Sequence, residues 1–126
     1  MFEVRTRPGR NRLYFTMRGA ISLAEAQQAV EQVLAESARL RPGFDTITDI
    51  NGLEPLSPEV LEEIDRINRH LAKMQPGKVV RVVGRSVHAA VQFEKLSKKI
   101  GHSAQLAFSL EEAERLLDGM PEEFLG

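Results

Sequence analysis

The chain has 126 residues, 42% of them hydrophobic and 28% charged, with a formal net charge of -1 and no cysteine. This is the composition of one globular core, without disulfides, a thiolate nucleophile or Cys-ligated zinc, and it fits a reducing compartment. The near-neutral balance argues against a domain that neutralises nucleic-acid phosphates, and neither a signal-peptide h-region nor a run of ~20 apolar residues is present, so a cytoplasmic single domain over 1–126, with 119–126 as a short tail, is expected.

The first eighteen residues read as a hairpin. Glu3 to Arg7 and Asn11 to Arg18 flank the turn pair Pro8-Gly9. Leu13, Phe15 and Met17 alternate with Arg12, Tyr14, Thr16 and Arg18, which predicts one buried and one wet face. Ser22 and Glu25 form a capping box for a helix beginning at Leu23. Its apolar positions are Leu23, Ala26, Val30, Val33, Leu34 and Leu40, and Pro42-Gly43 stops it.

Phe44 to Ile50 is the next strand, leaving through Asp49-Ile50-Asn51-Gly52. Ser57-Pro58 is a strong helix start, because serine is a preferred N-cap and proline at the first helical position loses no hydrogen bond. The helix buries Val60, Leu61, Ile64, Ile67, Leu71 and Met74 and ends at Pro76-Gly77.

Val79 to Val83 is a nearly continuous apolar run, the mark of an interior strand, expected at the centre of the sheet. A third helix directs Ala89, Phe93, Leu96 and Ile100 inward and ends at Gly101. Ala104, Leu106 and Phe108 alternate as a last strand, and Ser109 with Glu112 repeats the capping box before a short helix carrying Leu110, Ala113, Leu116 and Leu117. Strands alternating with helices after an opening hairpin predict an α/β fold with a mixed, mostly parallel sheet of four to five strands and about four helices.

Catalytic signatures are missing from the sequence. His70, His88 and His102 have no zinc-motif spacing, and there is no nucleophile elbow, Walker loop or dinucleotide fingerprint, so no catalytic residue, metal or cofactor is assigned. Gly84-Arg85-Ser86 lies between a buried strand and a helix N-terminus, where backbone N–H groups favour an anion, and is a candidate anion site. Asp45, Asp49 and Glu54 could pair as acid and base, but Asp49 and Asn51 are better read as turn formers.

The stretch from Phe44 to Leu61, with Asp49-Ile50-Asn51-Gly52 at a strand end and Ser57 at the next helix start, resembles the central segment of STAS domains, the family of bacterial anti-sigma-factor antagonists and sulfate-transporter tails. The element order from Phe2 to Leu117 resembles the broader SpoIIAA-like group, whose fold is shared with lipid-binding SEC14-type domains. The resemblance implies a bacterial, non-enzymatic regulatory domain that docks a protein partner, such as a regulatory protein or a kinase-like anti-sigma factor. Docking would use Asn51, Gly52, Leu53, Glu54, Leu56, Ser57 and Glu59. Ser57 is the candidate phosphosite, yet Pro58 stands where the family's phosphorylated serine falls, and Ser57 is already explained as an N-cap. Leu53 and Leu56 admit two readings, an apolar docking loop or a plug closing the end of the sheet. The alternative function is a SpoIIAA-like carrier holding a small apolar or acyl ligand, and the third is an uncharacterised enzyme.

Overall fold

The computed structural model describes residues 1–74, 76–84, 86–99 and 104–119. In chain order the elements are β1 (Phe2–Arg7), β2 (Arg12–Met17), α1 (Leu23–Ser37), β3 (Asp45–Asp49), α2 (Pro58–Lys73), β4 (Val79–Val82), α3 (Val87–Lys99), β5 (Gln105–Ala107) and α4 (Leu110–Leu117). They build one five-stranded sheet in the order β1-β2-β3-β4-β5, in which β1 runs antiparallel to β2 and the remaining neighbours are parallel. The mixed α/β sheet expected from the sequence is therefore the observed one, with β3 rather than β4 at its centre. The apolar run Val79 to Val83 is still interior, and Val80 and Val82 are fully buried, because β5 and not β4 forms the edge.

Strand alternation sends side chains to two separate cores. Leu13, Phe15 and Met17 of β2 join Val30 and Val33 of α1, Val60, Ile64 and Ile67 of α2, and Ala89 and Phe93 of α3 on one face. Tyr14, Ile47, Val80, Val82 and Ala107 pack on the other against Ala113 and Leu117 of α4. Burying a side chain such as Ile47 is worth about 1.5–3 kcal/mol, so α4, only two turns long, is held mainly by its apolar stripe.

The second face of β2 is covered at Arg12 and Tyr14, while Thr16 is half-buried and Arg18 exposed. Arg12 is 4% exposed and Tyr14 3%, because α4 lies across them. The covering helix brings its acids with it. Arg12 donates to Glu114 at 3.0 Å and to Asp118 at 2.6 Å, the Tyr14 hydroxyl donates to Glu114 at 2.6 Å, and Arg10 reaches Asp118 at 3.0 Å. Burial opposes the Arg12 charge, but the hydrogen bonds to Asp118, Tyr14 and Glu114 outweigh it and its pKa is raised.

The helix boundaries follow local chemistry. The Ser22–Glu25 capping box is complete, with the Glu25 N–H donating to the serine oxygen and the Ser22 N–H donating to the carboxylate. At α4 only half of the expected box forms: Ser109 Oγ accepts from the Glu112 N–H, while the Glu112 carboxylate accepts from the Phe108 N–H instead. α1 ends at Ser37, before Pro42-Gly43, and Leu23 and Leu34 lie on its solvent side while Leu40 packs against the core from the turn. In α3 the inward side is Ala89, Phe93 and the small Ser97, and the expected positions Ile100 and Gly101 lie outside the described residues. The last strand has its register opposite to the expected one, since Ala107 is its buried residue and Leu106 and Phe108 are exposed.

Candidate functional site

The segment from Asp49 to Val60 leaves the carboxyl end of the central strand and enters α2 under a dense set of constraints. Asp49 Oδ1 accepts from the Asn51 N–H at 3.0 Å, the turn-forming bond expected of an aspartate there. Arg18, just past β2, donates to Asp49 Oδ2 at 2.9 Å and to the Asn51 carbonyl. Gly52 has φ +85, a conformation that favours glycine, and turns the chain so that its carbonyl accepts from the Gly19 N–H at 2.9 Å while the Glu54 N–H donates to the Gly19 carbonyl at 3.0 Å. Asp49 is therefore committed to structure, and so is Asp45, which accepts from the Lys78 N–H at 2.8 Å. Among the described residues, the bonds of these two carboxylates go to Arg18, the Asn51 N–H and the Lys78 N–H, and none to a nucleophile or a histidine base.

Leu53 and Leu56 point inward, 4% and 6% exposed, and belong to the core under α1 and α2. They are the plug of the two readings that the sequence leaves open. Their inward turn places Gly52, Glu54, Pro55, Ser57, Pro58 and Glu59 on the outside, with Asn51 half-buried. Ser57 Oγ accepts from the Val60 N–H at 3.3 Å, and Pro58 opens the helix. Gln92 of α3 fastens the far side of the loop, accepting from the Leu56 N–H at 3.0 Å and donating to its carbonyl at 3.1 Å.

The candidate anion turn is the neighbour of this loop. Gly84 has φ +51, and a Cβ there would overlap the Asn51 side chain, so glycine is required by both backbone and contact. Ser86 is buried, its N–H donates to the Val83 carbonyl at 3.1 Å, and its own carbonyl accepts from the Ala90 N–H at 2.8 Å. Arg85 lies outside the described residues. Two of the sequence-level candidates, Asn51 and Gly84, are thus brought into contact. Arg18 and Gln92 are the supporting residues that sequence reasoning missed: Arg18 stood only as one of several basic positions, and nothing in the spacing of Gln92 tied it to a loop thirty-six residues earlier.

Among the described residues no group of three potential metal ligands occurs, and no helix is long and apolar enough to cross a membrane. On the outside of this segment the carboxylates of Glu54 and Glu59 are exposed.

No protein-family profile matches the chain, and no curated protein sequence matches it. Solved structures do. The anti-sigma factor antagonist SpoIIAA in its unphosphorylated form matches with a TM-score of 0.67 at 11% identity, over 95% of this chain and 100% of that one. An anti-sigma factor antagonist from Mycobacterium paratuberculosis matches with a TM-score of 0.60 at 17% identity, over 94% and 93% of the two chains. The protein TM1081 gives 0.63 at 13%, over 94% and 89%. The chain has the STAS/SpoIIAA fold, and at these identities the likeness is one of fold.

Proposed function

We propose that this chain is a non-enzymatic regulatory domain that docks a protein partner on the ridge made by Asn51, Gly52, Glu54, Ser57 and Glu59. The observation that carries the reading is the combination of local order and exposure: hydrogen bonds with Gly19, Arg18 and Gln92 and the Ser57 cap hold the loop, while the side chains of Glu54 and Glu59 stand in solvent with no ion pair among the described residues. A surface ordered before binding loses little entropy on association. Two acidic groups at such a place favour a partner presenting basic side chains, such as a regulatory protein or a kinase-like anti-sigma factor. The known structures of this fold include anti-sigma factor antagonists, which supports the same class. Leu53 and Leu56 contribute from below, as the plug that sets the ridge's shape. Ser57 acts in this reading as a helix cap, without a phosphorylation switch.

The test is affinity capture from lysate of the source cell, followed by binding measurements with the captured protein in purified form. Glu54→Gln/Glu59→Gln should weaken that binding, with the melting temperature lowered only slightly through the lost first-turn charge of Glu59. Equal binding by the double variant would remove the ridge from the interface.

A further inference from the structure

Arg81 is the least expected residue of the interior. It stands on β4 beside Thr48 of β3 and Leu106 of β5, on the face that α2 and α3 cover, and is 3% exposed. Its guanidinium donates to Ser97 Oγ at 2.7 Å and to Glu94 at 3.3 Å and lies 5.5 Å from the centre of the Phe93 ring. Its Nε–H has no partner among the described residues, and neither does the hydroxyl of Thr46, which is 3% exposed on the same face. Burial lowers the Arg81 pKa, which Glu94 only partly offsets. Buried polar groups are ordinarily satisfied, so two orphans in one place point to something that satisfies them.

Both orphaned residues line a cavity of about 40 Å³, together with Thr48, Asn68 and Ser97. At Arg81 and Ala104 it adjoins an open groove of about 510 Å³ between α3 and the edge strand β5. The groove is lined by Val83, Val87, Ala90, Val91, Leu106 and Phe108. Val87 is 73% exposed, Val91 48%, Leu106 53% and Phe108 74%, a concentration of bare apolar side chains on one side of the molecule.

We propose that this cleft binds a medium-chain aliphatic carboxylate, its head group taken by Arg81 Nε–H and the Thr46 hydroxyl and its chain laid along Val91, Leu106 and Phe108. A cation and the Thr46 hydroxyl at the inner end with hydrocarbon at the outer end complement that chemistry, whereas a wholly apolar ligand would leave the Arg81 donor unpaired. Glu94, at the mouth with its side chain 42% exposed, competes with the head group for the guanidinium. The cleft shares no residue with the 51–59 ridge, so the two sites can be tested separately.

Octanoate is the probe, titrated into the intact chain and followed by calorimetry and by backbone NMR shifts. Saturable binding with shifts at Arg81, Thr46 and Leu106 is expected, with octanol and methyl octanoate each weaker by about tenfold or more because they offer the Arg81 Nε–H no charged acceptor. Glu94→Gln should tighten binding, and Arg81→Met should abolish it. Should Arg81→Met fail to fold, Leu106→Ser/Phe108→Ser changes only exposed positions and should weaken octanoate by about tenfold through lost apolar contact. Octanol binding as tightly as octanoate, no saturable binding, or shifts confined to the 51–59 ridge would each overturn the proposal.

Discussion

The side-chain amide of Gln92 satisfies both main-chain groups of Leu56, accepting from its N–H at 3.0 Å and donating to its carbonyl at 3.1 Å, and so locks the loop before α2 to the helix α3. Gln92→Ala leaves two partly buried backbone groups without that partner, and a loss of about 1–3 kcal/mol is expected on chemical denaturation. Amide hydrogen exchange should localise the effect, with faster exchange at Leu56 and little change in β3. A variant exchanging at Leu56 as slowly as the parent would show that the bridge is not what orders the loop.

Leu53 gives the second expectation. It is 4% exposed in the core, so Leu53→Asp buries an unpaired carboxylate and should cost several kcal/mol, on the order of the penalty for an uncompensated buried charge. Thermal melts measure this directly. A melting temperature close to that of the parent would return Leu53 to the surface and to the interface.

Ser57 caps α2 through its bond from the Val60 N–H. Ser57→Ala should lower stability by ~1 kcal/mol, whereas Ser57→Asp, an equally good N-cap whose charge suits a helix N-terminus, should be nearly neutral. Denaturant midpoints of the two variants check the pair. Stable phosphorylation of Ser57 in cells, with Ser57→Asp folded but unable to bind the partner, would replace the cap by a switch.

The anchor of α4 carries a pH dependence whose sign is fixed. The hydrogen bond from Arg12 is the first cause that holds the Asp118 carboxyl below its ordinary 3.8, so its contribution is complete above that value and is lost as pH falls through the lower folded one. Tyr14 shifts the opposite way: burial, then its bond to Glu114, raise it above its ordinary 10.0, and its contribution is lost only as pH rises through the folded value. Tyr14 is the chain's one tyrosine and there is no tryptophan, so tyrosine emission reads this junction alone. Acidification through the lowered Asp118 value should loosen α4 from Arg12 and raise Tyr14 emission, and Asp118→Asn, which removes that carboxyl, should remove this acid limb. Emission constant through the acid limb would detach α4 from this cluster.

Much of the fold was legible because local signals agreed with the tertiary outcome. The serine caps at Ser22 and Ser57, the apolar stripe of α2 and the valine run of β4 each named their element. The sequence misled where a distant element decides the environment. Arg12 and Tyr14 look like the wet side of a strand until α4, a hundred residues later, covers them with Glu114 and Asp118. Leu106 and Phe108 look like the inner side of β5, yet the groove beside α3 leaves them open and Ala107 meets α4 instead. Around the candidate site the turn at Asn51-Gly52 and the cap at Ser57 were readable. The Gly84–Asn51 contact and the Gln92 bridge depend on crossover geometry that one sequence does not encode locally.

The most direct measurement of the central claim is a hydrogen-exchange footprint of the chain alone and saturated with the protein it captures from lysate. Docking on the ridge requires new protection at 52–59 and at the adjoining first turns of α2, with the amides of α4 and of β1 unchanged. Protection centred on α4, or on the groove between α3 and β5 with 52–59 exchanging as in the free chain, would contradict the account.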